Sequence, residues 1–121
     1  MHYDLEERTM KFSKESLAVL SKMRRDEINK NLILQAVRCI TSVGANYREA
    51  NAAVSRRDFR NKIYICRKEV QEAKYWIELL ARTNPESKEE LRKLWKEAHE
   101  LTLIFNKIST SLNKNKEEKA G

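Results

Sequence analysis

The chain has 121 residues, with 25 Lys plus Arg against 18 Asp plus Glu, and only two Gly, one Pro and two Cys. Its length fits one domain, and with 40% hydrophobic residues it can bury about two thirds of its unfolded surface, which excludes a disordered chain. Scarce Gly and Pro exclude a turn-rich β sandwich and a Gly-rich phosphate-binding α/β fold. The absence of both an apolar run of about 18 residues and a signal-peptide core at the start points to the cytoplasm.

The first predicted helix opens at Asp4, with Glu7 three residues on in capping-box spacing, and runs to about Met23. Its apolar positions Leu5, Phe12, Val19, Leu20 and Met23 are irregularly spaced, with Met10 and Leu17 off the stripe. After a break at Arg24 to Asn29, a second helix carries Ile33, Val37, Ile40, Val43 and Tyr47 on one face. Gly44 inside it lowers helix propensity by about 1 kcal/mol, which calls for close packing on a neighbour or a bend.

Ser55 and Asp58 give the next N-cap pair. Phe59, Ile63, Cys66, Val70, Ala73, Ile77 and Leu80 then step by 4, 3, 4, 3, 4, 3, a seam for side-by-side helix packing. Pro85 ends the third helix and Ser87 with Glu90 starts the fourth. There Leu91, Leu94, Ala98, Leu101, Phe105, Ile108 and Leu112 repeat the alternation. The expected fold is all-α, an antiparallel up-down four-helix bundle over residues 1–113 followed by a disordered tail, 114–121. Ile65, Trp76, Leu79, Trp95, Leu103 and Ile104 lie off the seams and would be buried by self-association.

Several chemistries are missing from the sequence. A di-iron bundle needs two Glu-x-x-His pairs, and the histidines are His2 and His99, the latter with Lys96 three residues before it where the motif needs Glu. Cys39 and Cys66 are 27 residues apart with no Cys or His beside them, so they read as buried spectators, and no metal or other cofactor is expected. Without a base beside Ser or Cys, and without a Gly-rich phosphate loop, the chain does not read as an enzyme.

Positive charge is concentrated instead. Residues 22–68 carry a net +8, more than the whole chain's +7. Arg56, Arg57, Arg60 and Lys62 begin the third helix, where the macrodipole is already positive, and Lys22, Arg24, Arg25 and Lys30 flank the first connection. Arg60, Arg67 and Lys74 recur at sevens as one stripe. These clusters are candidate phosphate contacts, forming one patch or two, and such contacts are salt-dependent and mostly sequence-blind. A second polar set, Asn46, Glu49, Glu69 and Glu72, is expected to pair with Arg8, Arg48 or Arg67 across the bundle and fix its alignment, the alternative being a functional site.

Specific motifs also resemble a known family. Tyr3-Asp4-Leu5-Glu6-Glu7-Arg8-Thr9 with Phe12 is similar to an Asp-Leu-x-x-Arg-Thr-x-x-Phe start. Gln35 and the run Ser42 to Ala50 resemble a Ser-Ile-x-x-Asn-x-x-Glu-Gly core, and Ile65 to Glu72 is followed by Tyr75-Trp76. Together, over residues 3–112, these resemble the bacterial four-helix-bundle proteins typified by the 23S rRNA-intervening-sequence proteins. Ala50 stands where many members have Gly, and Lys68-Glu69 replaces a common Gly-Ser. The resemblance implies an antiparallel bundle that assembles as a ring-like homopentamer, often with a basic surface and with no established catalysis. A related protein, the accessory variability determinant of diversity-generating retroelements, is a pentameric, nucleic-acid-binding partner of a reverse transcriptase. Two expectations follow: a noncatalytic oligomer that binds RNA or DNA, with RNA favoured, and an interaction scaffold for a protein such as a reverse transcriptase.

Overall fold

The computed structural model describes the backbone of residues 4–120 and the side chains of residues 4–114. Among them are four α-helices, α1 (Leu5–Leu20), α2 (Glu27–Asn51), α3 (Arg56–Thr83) and α4 (Lys88–Ala120), a 3-10 turn at Pro85–Ser87, and no strand. Helix starts follow local chemistry. Asp4 accepts the Glu7 amide at 3.1 Å and Ser55 accepts the Asp58 amide at 3.0 Å, as their spacing predicts.

Four boundaries differ from the sequence reading, the first being the end of α1, at Leu20 instead of about Met23. Asp26 accepts the Asn29 amide at 2.8 Å, so α2 starts at Glu27, inside the expected break. Ser87 lies in the 3-10 turn and gives its own amide to the Asn84 carbonyl at 2.9 Å. Finally, α4 continues to Ala120, beyond the boundary at residue 113, through a Lys- and Glu-rich stretch of good helix formers.

One core joins the helices. On α3, Ile63, Cys66, Val70, Ala73, Ile77 and Leu80 are buried and Phe59 is half-buried, so the seven-residue alternation is the core stripe. On α4 the same holds from Leu91 to Phe105, while Ile108 and Leu112 are half-buried. The irregular spacing of α1 also has a simple cause. Its buried positions are Leu5, Thr9, Phe12, Ser16 and Leu20, a regular helical stripe in which two small polar residues occupy core sites. Off-stripe Trp76, Leu79, Trp95 and Ile104 pack partly against the core, whereas Ile65 and Leu103 are exposed.

Gly44 lies at a close contact of α2 with α1: a Cβ built there would meet Thr9 Oγ1 at 3.3 Å and Thr9 Cβ at 3.4 Å. The glycine lets the helices approach, which offsets its poor helix propensity. Packing is most extensive between α2 and α3 and next between α3 and α4, with α1 lying mainly on α2. Side-chain contacts link the starts of helices to the ends of their neighbours: Asn51 with Glu6, Lys62 with Glu49, Asn29 with Asn84, and Tyr64 with Asn113.

At the α3–α4 turn, Asn29 and Asn84 are both fully buried and exchange amides. Asn29 Nδ2 donates to Asn84 Oδ1 at 2.9 Å, and Asn84 Nδ2 donates to Asn29 Oδ1 at 3.1 Å. Thr83 Oγ1 donates to the same Asn29 oxygen at 2.7 Å, and Asn84 Nδ2 also reaches the Leu80 carbonyl at 3.0 Å. Burial of two carboxamides is tolerated here because most of their hydrogen-bonding capacity is met.

Candidate nucleic-acid interface

The eight basic residues fall into two groups at opposite ends of α2. Lys22, Arg24, Arg25 and Lys30 surround the α1–α2 connection, and Arg24 donates to the Thr83 carbonyl at 3.3 Å, placing this group beside the α3–α4 turn. Arg56, Arg57, Arg60 and Lys62 lie in the first two turns of α3. Lys62 pairs with Glu49 near the end of α2 at 2.6 Å. Helix α2, 25 residues and about 37 Å long, runs between the two groups, with Lys30 in its first turn.

Their electrostatic states differ. At the first end, Lys22 pairs with Glu90 at 2.7 Å and Arg24 with Asp26 at 3.0 Å, leaving Arg25 and Lys30 exposed with no acidic partner among the described residues. At the other end, Arg56 and Arg57 are exposed and Arg60 is half-exposed, and none has an acidic partner among the described residues. Lys62 is the engaged member there. Beside Arg56 lies a shallow groove of about 390 Å³ formed by the α2–α3 link, Phe59 and Leu112, with Val54 fully presented to solvent. The Ser55 cap fixes the first turn of α3 and so directs consecutive Arg56 and Arg57 outward.

The longer basic stripe along α3 does not stay free. Arg67 lies over the Tyr64 ring at 5.4 Å. Lys74 lies over the Trp95 ring at 4.8 Å and donates to His99 Nδ1 at 3.0 Å, while His99 stacks on Trp95 with an interplanar angle of 7°. Arg67 is thus held by an aromatic ring of its own helix, and Lys74 by aromatic packing between α3 and α4. Of the stripe, only Arg60, at its base, has no such partner among the described residues.

The polar set is likewise distributed. Arg8 reaches α4, donating to Glu97 at 2.9 and 2.8 Å and also to Glu100, rather than meeting α2 or α3. Hydrogen bonding to Glu97 raises the Arg8 pKa above its ordinary value, against the opposing effect of burial. Asn46 donates to the Ser42 carbonyl of its own helix at 2.8 Å, and Arg48 is exposed. Glu69 and Glu72 face Arg38, at 3.7 and 3.5 Å, a residue that sequence spacing did not single out. Its visible signal was position: Arg38 precedes Cys39, which is buried in the same α2–α3 seam.

Both thiols are buried and free. Burial pushes Cys39 up to about 12, with Glu69 and Glu72 adding to the rise and Arg38 opposing it, and burial likewise pushes Cys66 up to about 12. Cys39 Sγ lies 3.5 Å from Glu72 Oε2, and Cys66 Sγ lies 3.5 Å from the Val43 carbonyl. Neither thiol has the electropositive, exposed setting of a nucleophile. Among the described residues no helix is long and apolar enough to cross a membrane.

No curated protein matches the chain. It is similar to a crystal structure of a protein of unknown function from the S23 ribosomal protein family of Bacteroides thetaiotaomicron. The identity is 30%, the match covers 86% of this chain and 96% of that one, and the TM-score is 0.74. A family model described as 23S rRNA-intervening sequence protein matches residues 2–107, all of the first three helices and most of α4, and the chain belongs to that family.

Proposed function

We propose that the protein is a noncatalytic, cytoplasmic nucleic-acid-binding bundle, with RNA the favoured ligand and Arg56, Arg57 and Arg60 the principal phosphate contacts. The observation that carries this reading is the contrast between the two basic ends. At the α1–α2 connection two of four cations are neutralised by Glu90 and Asp26, whereas at the start of α3 three arginines have no acidic partner among the described residues. Arginine suits the task because its planar fork matches phosphate oxygens. Family membership adds a link to rRNA through the family's own description.

The bundle is read as up-down and antiparallel, and as the subunit of a ring-like homopentamer. Start-to-end side-chain contacts support the first part. Exposed Met10, Leu17, Leu34, Ile65 and Leu103, together with an apolar groove of about 400 Å³ between α1 and α2, support self-association. Several copies would multiply a weak phosphate site through avidity.

The test is binding of labelled structured RNA and duplex DNA across a salt series, with the oligomeric state followed by light scattering. Changing Arg56, Arg57 and Arg60 together to Glu should abolish binding while leaving fold and assembly intact. The same reversal of Lys22, Arg24, Arg25 and Lys30 should weaken it less. Wild-type protein that binds neither nucleic acid at low salt overturns the proposal and turns attention to a protein partner such as a reverse transcriptase.

A further inference from the structure

We propose that Cys39, Glu69 and Glu72 form a binding site for one divalent transition-metal ion of zinc's class, set in the seam between α2 and α3. Glu69 and Glu72 are three residues apart on α3 and so share a face, and Cys39 on α2 meets them from the other side. Their donor atoms all lie within 4.8 Å of one another. The separation of Cys39 Sγ and Glu72 Oε2, 3.5 Å, matches the edge of a tetrahedron with a metal–sulfur bond of about 2.3 Å and a metal–oxygen bond of about 2.0–2.2 Å.

A second observation is independent of this spacing. The Glu69 side chain is only 9% exposed, and its Oε2 is sealed from solvent and accepts no hydrogen bond. A buried carboxylate oxygen without a donor is costly, and it is expected where an ion completes the site. The nearest cation is Arg38, which stands 3.7 Å from Glu69 Oε2, 3.5 Å from Glu72 Oε2 and 3.6 Å from Cys39 Sγ. The two oxygen distances exceed the usual 2.7–2.9 Å or so of a charge-assisted hydrogen bond, so the guanidinium balances the carboxylates from a distance, and its hydrogen bond is to Cys39 Sγ, a contact that metal binding displaces. Its side chain is more than half exposed and free to withdraw toward solvent.

Charge and donor type narrow the ligand. On binding, the Cys39 thiol proton leaves to solvent as the sulfur–metal bond forms. The resulting three negative charges are balanced by a dication and Arg38. A thiolate donor selects against magnesium and calcium, which take oxygen ligands, and favours zinc, cobalt or ferrous iron.

Cobalt(II) titrated into the full chain reports the site directly. A thiolate-to-cobalt charge-transfer absorption should appear, saturate at one equivalent per chain and be displaced by zinc. Cys66→Ser should leave the band intact, since Cys66 faces a backbone carbonyl rather than carboxylates. Cys39→Ser should remove it, and Glu69→Gln and Glu72→Gln should each weaken affinity by about tenfold or more. Circular dichroism checks the fold. Because Glu72 is partly exposed, Glu72→Gln keeps the test decisive if Cys39→Ser unfolds. No band in the wild type, a band that survives Cys39→Ser, or affinity unchanged in both Glu variants overturns the proposal.

Discussion

Ser16 and Ser109 each bury a hydroxyl that finds no hydrogen-bond partner. Replacing either with Ala removes an unsatisfied group and little volume, so each substitution should stabilise the protein by about 1 kcal/mol, read from the urea midpoint at constant slope. The amide pair makes the opposite case. Asn29→Ala leaves the buried Asn84 Oδ1 without its donor and takes from Thr83 its shortest acceptor, and the expected loss is about 2–3 kcal/mol in the same measurement. Cys66 is silent for a third reason. With its thiol pushed up to about 12, almost no thiolate exists at pH 8, and alkylation should follow global unfolding rather than outpace it. A raised folded-state value also means that this thiol's contribution to stability is complete below about pH 9 and declines as pH rises toward 12. Residue-level features of this kind were only partly legible in sequence. Caps at Asp4 and Ser55 follow from local spacing, whereas the burial of Thr9 and Ser16 depends on what α2 presents to α1, and hydropathy alone hides it.

Among the helices, α3 was the most readable, because an unbroken 4-3 alternation of apolar residues leaves little choice of face. Helix α1 was the least. Its stripe is completed by Thr and Ser, and one of its partner positions is a glycine on another helix. That contact is directly testable: Gly44→Val places a branched side chain where even a Cβ sits 3.3 Å from Thr9 Oγ1, so α1 must shift, at a cost of about 1–3 kcal/mol. The same variant should speed amide exchange in α1 more than in α3, since α1 is the least extensively packed helix. Polar partners across the bundle were the poorest guess from sequence. Arg8 was as free, on paper, to meet Glu49 as Glu97, and only the direction in which its helix face points settles that it meets α4.

For the molecule as a whole, the sequence located the positive charge but not its availability. Neutralisation of Lys22 by Glu90 joins residues 68 positions apart, and no local pattern announces it. If Arg56, Arg57 and Arg60 each contact one phosphate, changing all three to Gln, which removes their charge without reversing it, should lower the slope of log affinity against log salt by about two to three per subunit, a change visible by fluorescence anisotropy. The buried amides carry a different lesson. Apolar seams that repeat every three and four residues are nearly indifferent to translation: sliding α2 along α3 by one turn, about 5.4 Å, would still lay oil against oil. Asn29 and Asn84 remove that indifference, since any slide leaves two carboxamides dry and single. They act as the index mark on a smooth scale, and they define how far the arginines at one end stand from the turn at the other.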